Sequence, residues 1–98
     1  MSEPKEDPRF RQAMDALARE DFQASFDIVE SLAVEGDPMA QHFLGWHHHK
    51  GLGTPQDYQK AVQWWYKAAD QGIAQAQQGL GWAFEQGRGV ERDYIEAY

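Results

Sequence analysis

Four histidines fall within eight residues, at His42, His47, His48 and His49, and the last three are consecutive. Imidazole binds zinc and nickel and exchanges protons near neutral pH, so the cluster raises metal binding and acid–base catalysis as possible chemistries. Spacing argues against both. Adjacent helical residues point about 100° apart, whereas ligands that converge on one ion from a helix stand three or four residues apart. His42 and His49 share a face but lie about 10 Å apart along the axis, and Gly45 and Trp46 between them offer no ligand. The reading is therefore no metal centre, with adventitious zinc or nickel binding by His42, His47, His48 and His49 as the alternative that stays open.

Other chemistry is no better founded. Ser2 and Lys5 spell S-x-x-K but precede the first expected helix and lack the rest of that catalytic signature. The glycine-rich stretches GLGTPQD and GRGVERD follow helices rather than strands, the wrong context for holding phosphates. The chain has no cysteine, so disulfides and thiolate metal sites are excluded. Carboxylates such as Asp15 and Glu30 read as helix surface. No catalytic residue and no cofactor are expected, and the chain is not read as an enzyme.

The elements around the histidines are legible from a repeat. Residues 21–56 align with residues 57–92 without a gap, eleven of thirty-six positions being identical. Leu44, Gly45 and Trp46 match Leu80, Gly81 and Trp82, and Gly36, Gly51 and Gly53 match Gly72, Gly87 and Gly89. The second copy keeps the frame of GWHHHKGLG as GWAFEQGRG, so the frame works without histidine. Such a period marks stacked supersecondary units.

Each copy reads as two helices. In the second, Tyr58, Ala61, Val62, Trp65, Ala68 and Ala69 recur at the spacing of one helical face, Asp57 caps the start and Gly72 ends it. In the first, Asp37-Pro38 opens a second helix that carries Ala40, Phe43, Leu44 and His48 inward before Gly51. Gly45 and Gly81 interrupt these second helices at a cost of about 1 kcal/mol each relative to alanine, which implies close approach of a paired helix at both positions. Asp7-Pro8 repeats the start signal, predicting a leading helix with Phe10, Ala13, Met14 and Leu17 inward.

The stretch AVQWWYKAADQGIAQAQQGLGWAFEQGRGVERD, residues 61–93, resembles the Sel-one-like repeat, a relative of the tetratricopeptide repeat. The likeness runs through Ala61, Trp64, Trp65, Ala68, Ala69, Gly72, Ala76, Leu80, Gly81, Phe84, Gly87, Gly89, Val90 and Asp93. The first copy is less similar: Ser25, Ile28, Val29 and Leu32 stand at the alanine and aromatic positions. The resemblance covers residues 21–98 and implies an all-α superhelix, a solenoid of antiparallel helix pairs used for protein interaction by adaptors and scaffolds. The expected layout is a tail at 1–7, a capping helix at 8–20, repeats at 21–56 and 57–92, and the start of a truncated third repeat at 93–98. His48 takes the place of an inward aromatic, Phe84 in the second copy, with His47 and His49 pointing to either side.

A helix-pair solenoid binds along a concave groove lined by one helix of each pair. The stripe beside the core face is Gln23, Asp27, Glu30 and Val34 in the first repeat and Gln59, Gln63, Tyr66 and Asp70 in the second. All but Val34 are the candidate partner-binding residues, and their acids and amides suit a protein or peptide carrying Lys or Arg. The competing reading is structural, with no peptide groove of its own: the incomplete third unit marks either a fragment of a longer repeat array or an apolar end that self-associates through Trp82, Phe84, Tyr94 and Tyr98. Trp46 and Trp82 are expected to pack between repeats.

Charge narrows the partner further. The net charge is −7, and residues 1–36 carry nine acids against four bases. Nucleic acid and anionic membrane, which require Lys and Arg, are excluded as partners. The polar start MSEPKEDPRF carries no secretory pattern, and no run approaches the roughly 20 apolar residues of a membrane span. A cytoplasmic protein is the expectation.

Overall fold

A computed structural model describes residues 7–87. They form five helices: α1 (Pro8–Ala18), α2 (Phe22–Val34), α3 (Pro38–Lys50), α4 (Tyr58–Asp70) and α5 (Ala74–Gln86). Four begin at an aspartate whose carboxylate accepts a backbone N–H of the first turn. The pairs are Asp7 with Arg9 (2.9 Å), Asp21 with Ala24 (3.3 Å), Asp37 with Ala40 (3.1 Å) and Asp57 with Lys60 (3.0 Å). Each satisfies a donor that the helix start leaves orphaned. At α5 the cap position is Ile73 and the side-chain bond is absent. Gly36 and Gly72 take φ of 104° and 92° where α2 and α4 turn into the next helix, the left-handed geometry that closes helices.

Each helix packs chiefly against the one before and the one after, so the array grows by neighbour-to-neighbour burial. One apolar cluster centres on Val29, Leu32, Ala40 and Leu44, with Phe10, Ala13 and Met14 of α1 packed into it. The second centres on Val62, Trp65, Ala76, Leu80 and Phe84. Two tryptophans cross the boundary between them. Trp64 of α4 lies against the first cluster, and Trp46 of α3 lies against the second. The boundary between the hairpins is therefore interlocked, and α3 is enclosed from both sides by α2 and α4.

At the centre is Trp65, fully buried. Its Nε1 donates to the His42 carbonyl at 3.2 Å, and its ring presses on α3 where Gly45 lacks a side chain. A Cβ at Gly45 would overlap the indole, lying 2.9 Å from Cε2 and closer still to the pyrrole edge. For Gly81, expected to serve the same purpose, a Cβ would meet nothing within 4 Å among the described residues. Among the described residues no helix follows α5 to press an aromatic on that spot. The glycine that answers Gly45 across the indole is Gly79, where a Cβ would stand 3.0 Å from Cδ2 and Cε2. Trp65 thus lies between two glycines of two helices.

Candidate functional site

Two sets of side chains are candidates, one on the outward faces of α2 and α4 and the other on α3, which packs between those two helices. The first is the exposed stripe. Gln23, Asp27 and Glu30 of α2 and Gln59, Gln63 and Asp70 of α4 are exposed, and Tyr66 is half-buried. The register is shared because α2 and α4 stand thirty-six residues apart in sequence. Their inward faces carry Ser25, Val29, Leu32 and Ala33 on α2 and Ala61, Val62, Trp65 and Ala68 on α4. Gln23 Nε2 donates to Asp27 Oδ1 at 3.0 Å, steadying the acid on the first turns of α2. Val34 closes the α2 stripe and is 71% exposed, an apolar side chain in open solvent beside acids. The Tyr66 ring meets Phe84 edge-on at 6.4 Å, so the aromatic of this stripe is partly committed to the core.

The second set is the histidines, and here the structure departs from the expected orientation. His48 is buried as expected, but His47 and His49, expected to point aside, are buried too, as is His42; exposures run from 1% at His47 to 7% at His42 and His49. The reason is the enclosure of α3: a helix flanked on both sides by others has little free circumference. His47 reaches α2, with Ser25 Oγ 3.2 Å from Nε2, while its Nδ1 lies 2.7 Å from the Leu52 carbonyl. A carbonyl only accepts, so Nδ1 carries the proton and the bare Nε2 accepts from the Ser25 hydroxyl. His48 meets the Phe26 ring edge-on at 5.7 Å. His49 packs among four aromatic rings, Trp46, Tyr58, Trp65 and Trp82, at 4.6–5.6 Å between centroids. Trp46 and Trp82 thus meet at His49, between the hairpins.

Burial holds the pKa of His42, His47 and His48 below the ordinary imidazole value. For His47 the Leu52 carbonyl pulls the other way, and for His48 Lys60 adds to the lowering while Asp57 and Glu30 oppose it. Among the described residues no three His, Asp or Glu side chains stand where they could hold one metal ion. The rings diverge instead, each into a different neighbour.

The Ser25–His47 pair had a signal in the sequence that the spacing argument passed over. The aligned positions of the second hairpin are Ala61 and Ala83, both buried. A hydrogen-bonded pair in one repeat is a pair of methyls in the other, so the two positions change together.

For the self-association set, Phe84 is only 5% exposed within its own cluster, Trp82 is half-buried against His49, and Tyr94 and Tyr98 lie outside the described residues. At the other end, Phe10, Met14 and Met39 line an open groove with Asp7, Arg11 and Asp37, of about 480 Å³. Sequence reasoning did not foresee it, because it depends on how α1 sits against the start of α3. No helix among the described residues is long and apolar enough to cross a membrane.

The Sel1 repeat family model matches residues 38–73 and 74–98. This frame starts at the second helix of a hairpin, half a unit out of phase with the 21–56 and 57–92 frame. Over 42 residues the chain is 43% identical to a Sel1-like repeat-containing protein, L18, of Acanthamoeba polyphaga mimivirus, covering 43% of this chain and 7% of that protein. The crystal structure of a Sel1 repeat protein from Oxalobacter formigenes superposes with a TM-score of 0.78 at 28% identity, covering 88% of this chain and 34% of that one. The structure of c5321, a protective antigen present in uropathogenic Escherichia coli strains and displaying an SLR fold, gives 0.81 at 31%, covering 88% of this chain and 19% of that one. The chain therefore spans a minor part of the length of each of these three proteins.

Proposed function

Because the chain belongs to the Sel1 repeat family, whose members are protein-interaction repeat scaffolds rather than enzymes as a class, we propose that it is a cytoplasmic adaptor binding a partner protein or peptide along the face shared by α2 and α4. The observation that carries this reading is the register of that face. The positions of Gln23, Asp27 and Glu30 are held one repeat later by Gln59, Gln63 and Tyr66, exposed except for the half-buried Tyr66, while the apolar faces of the same two helices are spent on the core. Acids, amides, one aromatic edge and the exposed Val34 together suit a segment with Lys or Arg and an apolar anchor. Charge complementarity of that kind sets association rate and specificity more than affinity.

The test is capture from the native cell with the chain and with a D27K/E30K variant as bait. Both positions are exposed, so the variant keeps its helical circular dichroism. The expected result is loss of the captured protein and a weaker dependence of binding on salt. Equal capture by the two baits would dispose of the reading. Self-association through Trp82, Phe84, Tyr94 and Tyr98 has less support, because Phe84 is already consumed by the chain's own core.

A further inference from the structure

The two hairpins solve one packing problem in two ways. Where α3 has His42, His47 and His48, α5 has Gln78, Ala83 and Phe84, and Ala83 and Phe84 are buried as His47 and His48 are. A methyl and a phenyl suffice at those positions, so imidazole is not demanded by the fold. What imidazole adds is a charge that depends on pH.

We propose that α3 is an acid-sensitive spacer: proton uptake by His42, His47 and His48 drives it from its seat between α2 and α4, and the solenoid separates at its middle on mild acidification. Each ring is seated for the neutral form. His47 holds α2 and the following loop together as an acceptor for the Ser25 hydroxyl and a donor to the Leu52 carbonyl; a second proton would turn the acceptor into a donor and bury a charge. It is faced by Ser25 and Phe26 from α2, by the Leu52 carbonyl and by His48. His48 is faced by Phe26 and Glu30 from α2 and by Asp57 and Lys60 from the start of α4. His42 packs on Phe43 at 5.2 Å, and α4 grips its carbonyl through Trp65. The Nδ1 atoms of His42 and His48 are buried with no hydrogen-bond partner among the described residues. The two acids near His48 would favour its proton, but burial outweighs them, and an imidazolium without a solvent shell is costly.

The direction in pH follows. The folded values lie below those of the unfolded chain, so the unfolded chain binds more protons once the pH drops below about 6.5. Stability is complete above that point and is lost as the pH falls from it through the folded values. Each imidazole shifts the unfolding equilibrium by up to about tenfold per pH unit, and three by up to about a thousandfold.

The test is urea unfolding between pH 8 and pH 5, read by circular dichroism and tryptophan fluorescence, together with NMR titration of the imidazoles in the folded chain. Uptake approaching about three protons on unfolding is expected below pH 6, with the three rings still neutral in the folded chain where a free imidazole is half charged. H42Q/H48F, which installs the residues of the second hairpin in the first, should lose about two of those protons. An unfolding equilibrium flat from pH 6.5 to 5 would overturn the proposal, as would an unchanged slope in H42Q/H48F. Should that variant not fold, the NMR titration decides: rings that ionise freely while the native spectrum persists refute it.

Discussion

Replacing Gly45 by alanine tests the central packing claim, because two opposed effects can be weighed. Alanine is the better helix former by about 1 kcal/mol in a helix interior, and Gly45 is the eighth of the thirteen residues of α3, so local propensity alone predicts a gain. The added methyl, however, would overlap the Trp65 indole, which is fully buried and backed on its other side by Gly79. Overpacking of this kind costs about 1–3 kcal/mol. Displacing the ring also endangers the 3.2 Å bond from Nε1 to the His42 carbonyl, worth about 1 kcal/mol. The costs together exceed the propensity gain, leaving G45A less stable by about 1–3 kcal/mol. The internal control is Gly81, at the same position of the second repeat, where a methyl meets nothing within 4 Å among the described residues; G81A should gain up to about 1 kcal/mol. Urea midpoints followed by circular dichroism give both values, and the indole Nε1–H resonance of Trp65 in the NMR spectrum reports whether the ring has moved from the His42 carbonyl. A G45A protein as stable as the parent, or a G81A protein destabilised equally, would refute the argument that a close approach exists at one repeat and not at the other.

Further outcomes follow from single contacts. Ser25→Ala leaves Nε2 of the buried His47 without its hydroxyl, and unfolding should become easier by about 1–3 kcal/mol, measured by thermal melting. Glu20 has a φ of 62°, so Glu20→Gly should relieve left-handed strain and raise stability by up to about 1 kcal/mol; a clear loss in the urea midpoint would count against it. Arg9 bridges Asp7 at 2.8 Å and Glu35 at 2.7 Å, and its hydrogen bonds hold both carboxyls below their ordinary range. That tie between α1 and the end of α2 is present above the usual carboxylate values and is lost as the pH falls through the lowered ones. Being exposed, it should be screened by salt, which pH titration of Arg9→Gln beside the parent at two ionic strengths would reveal.

The primary sequence alone settles a great deal of this protein. The aspartate caps, the glycines after α2 and α4 and the 3.6-residue apolar spacing act within a turn or two of chain, so the helices and their thirty-six-residue recurrence can be read without knowing what touches what. The outward stripe on α2 and α4 is legible for the same reason, being whatever the apolar face leaves over. The imidazoles and the mid-helix glycines are different. Whether His47 is a surface donor or a buried acceptor depends on Ser25, twenty-two residues away, and on α4 closing the other side of α3. Gly45 and Gly81 share their flanking Leu and Trp in the sequence, yet among the described residues Gly45 faces an indole and Gly81 does not. Side-chain direction is set by the helix that bears it, but burial, hydrogen bonding and proton affinity are set by the neighbour, and only tertiary packing decides which neighbour arrives.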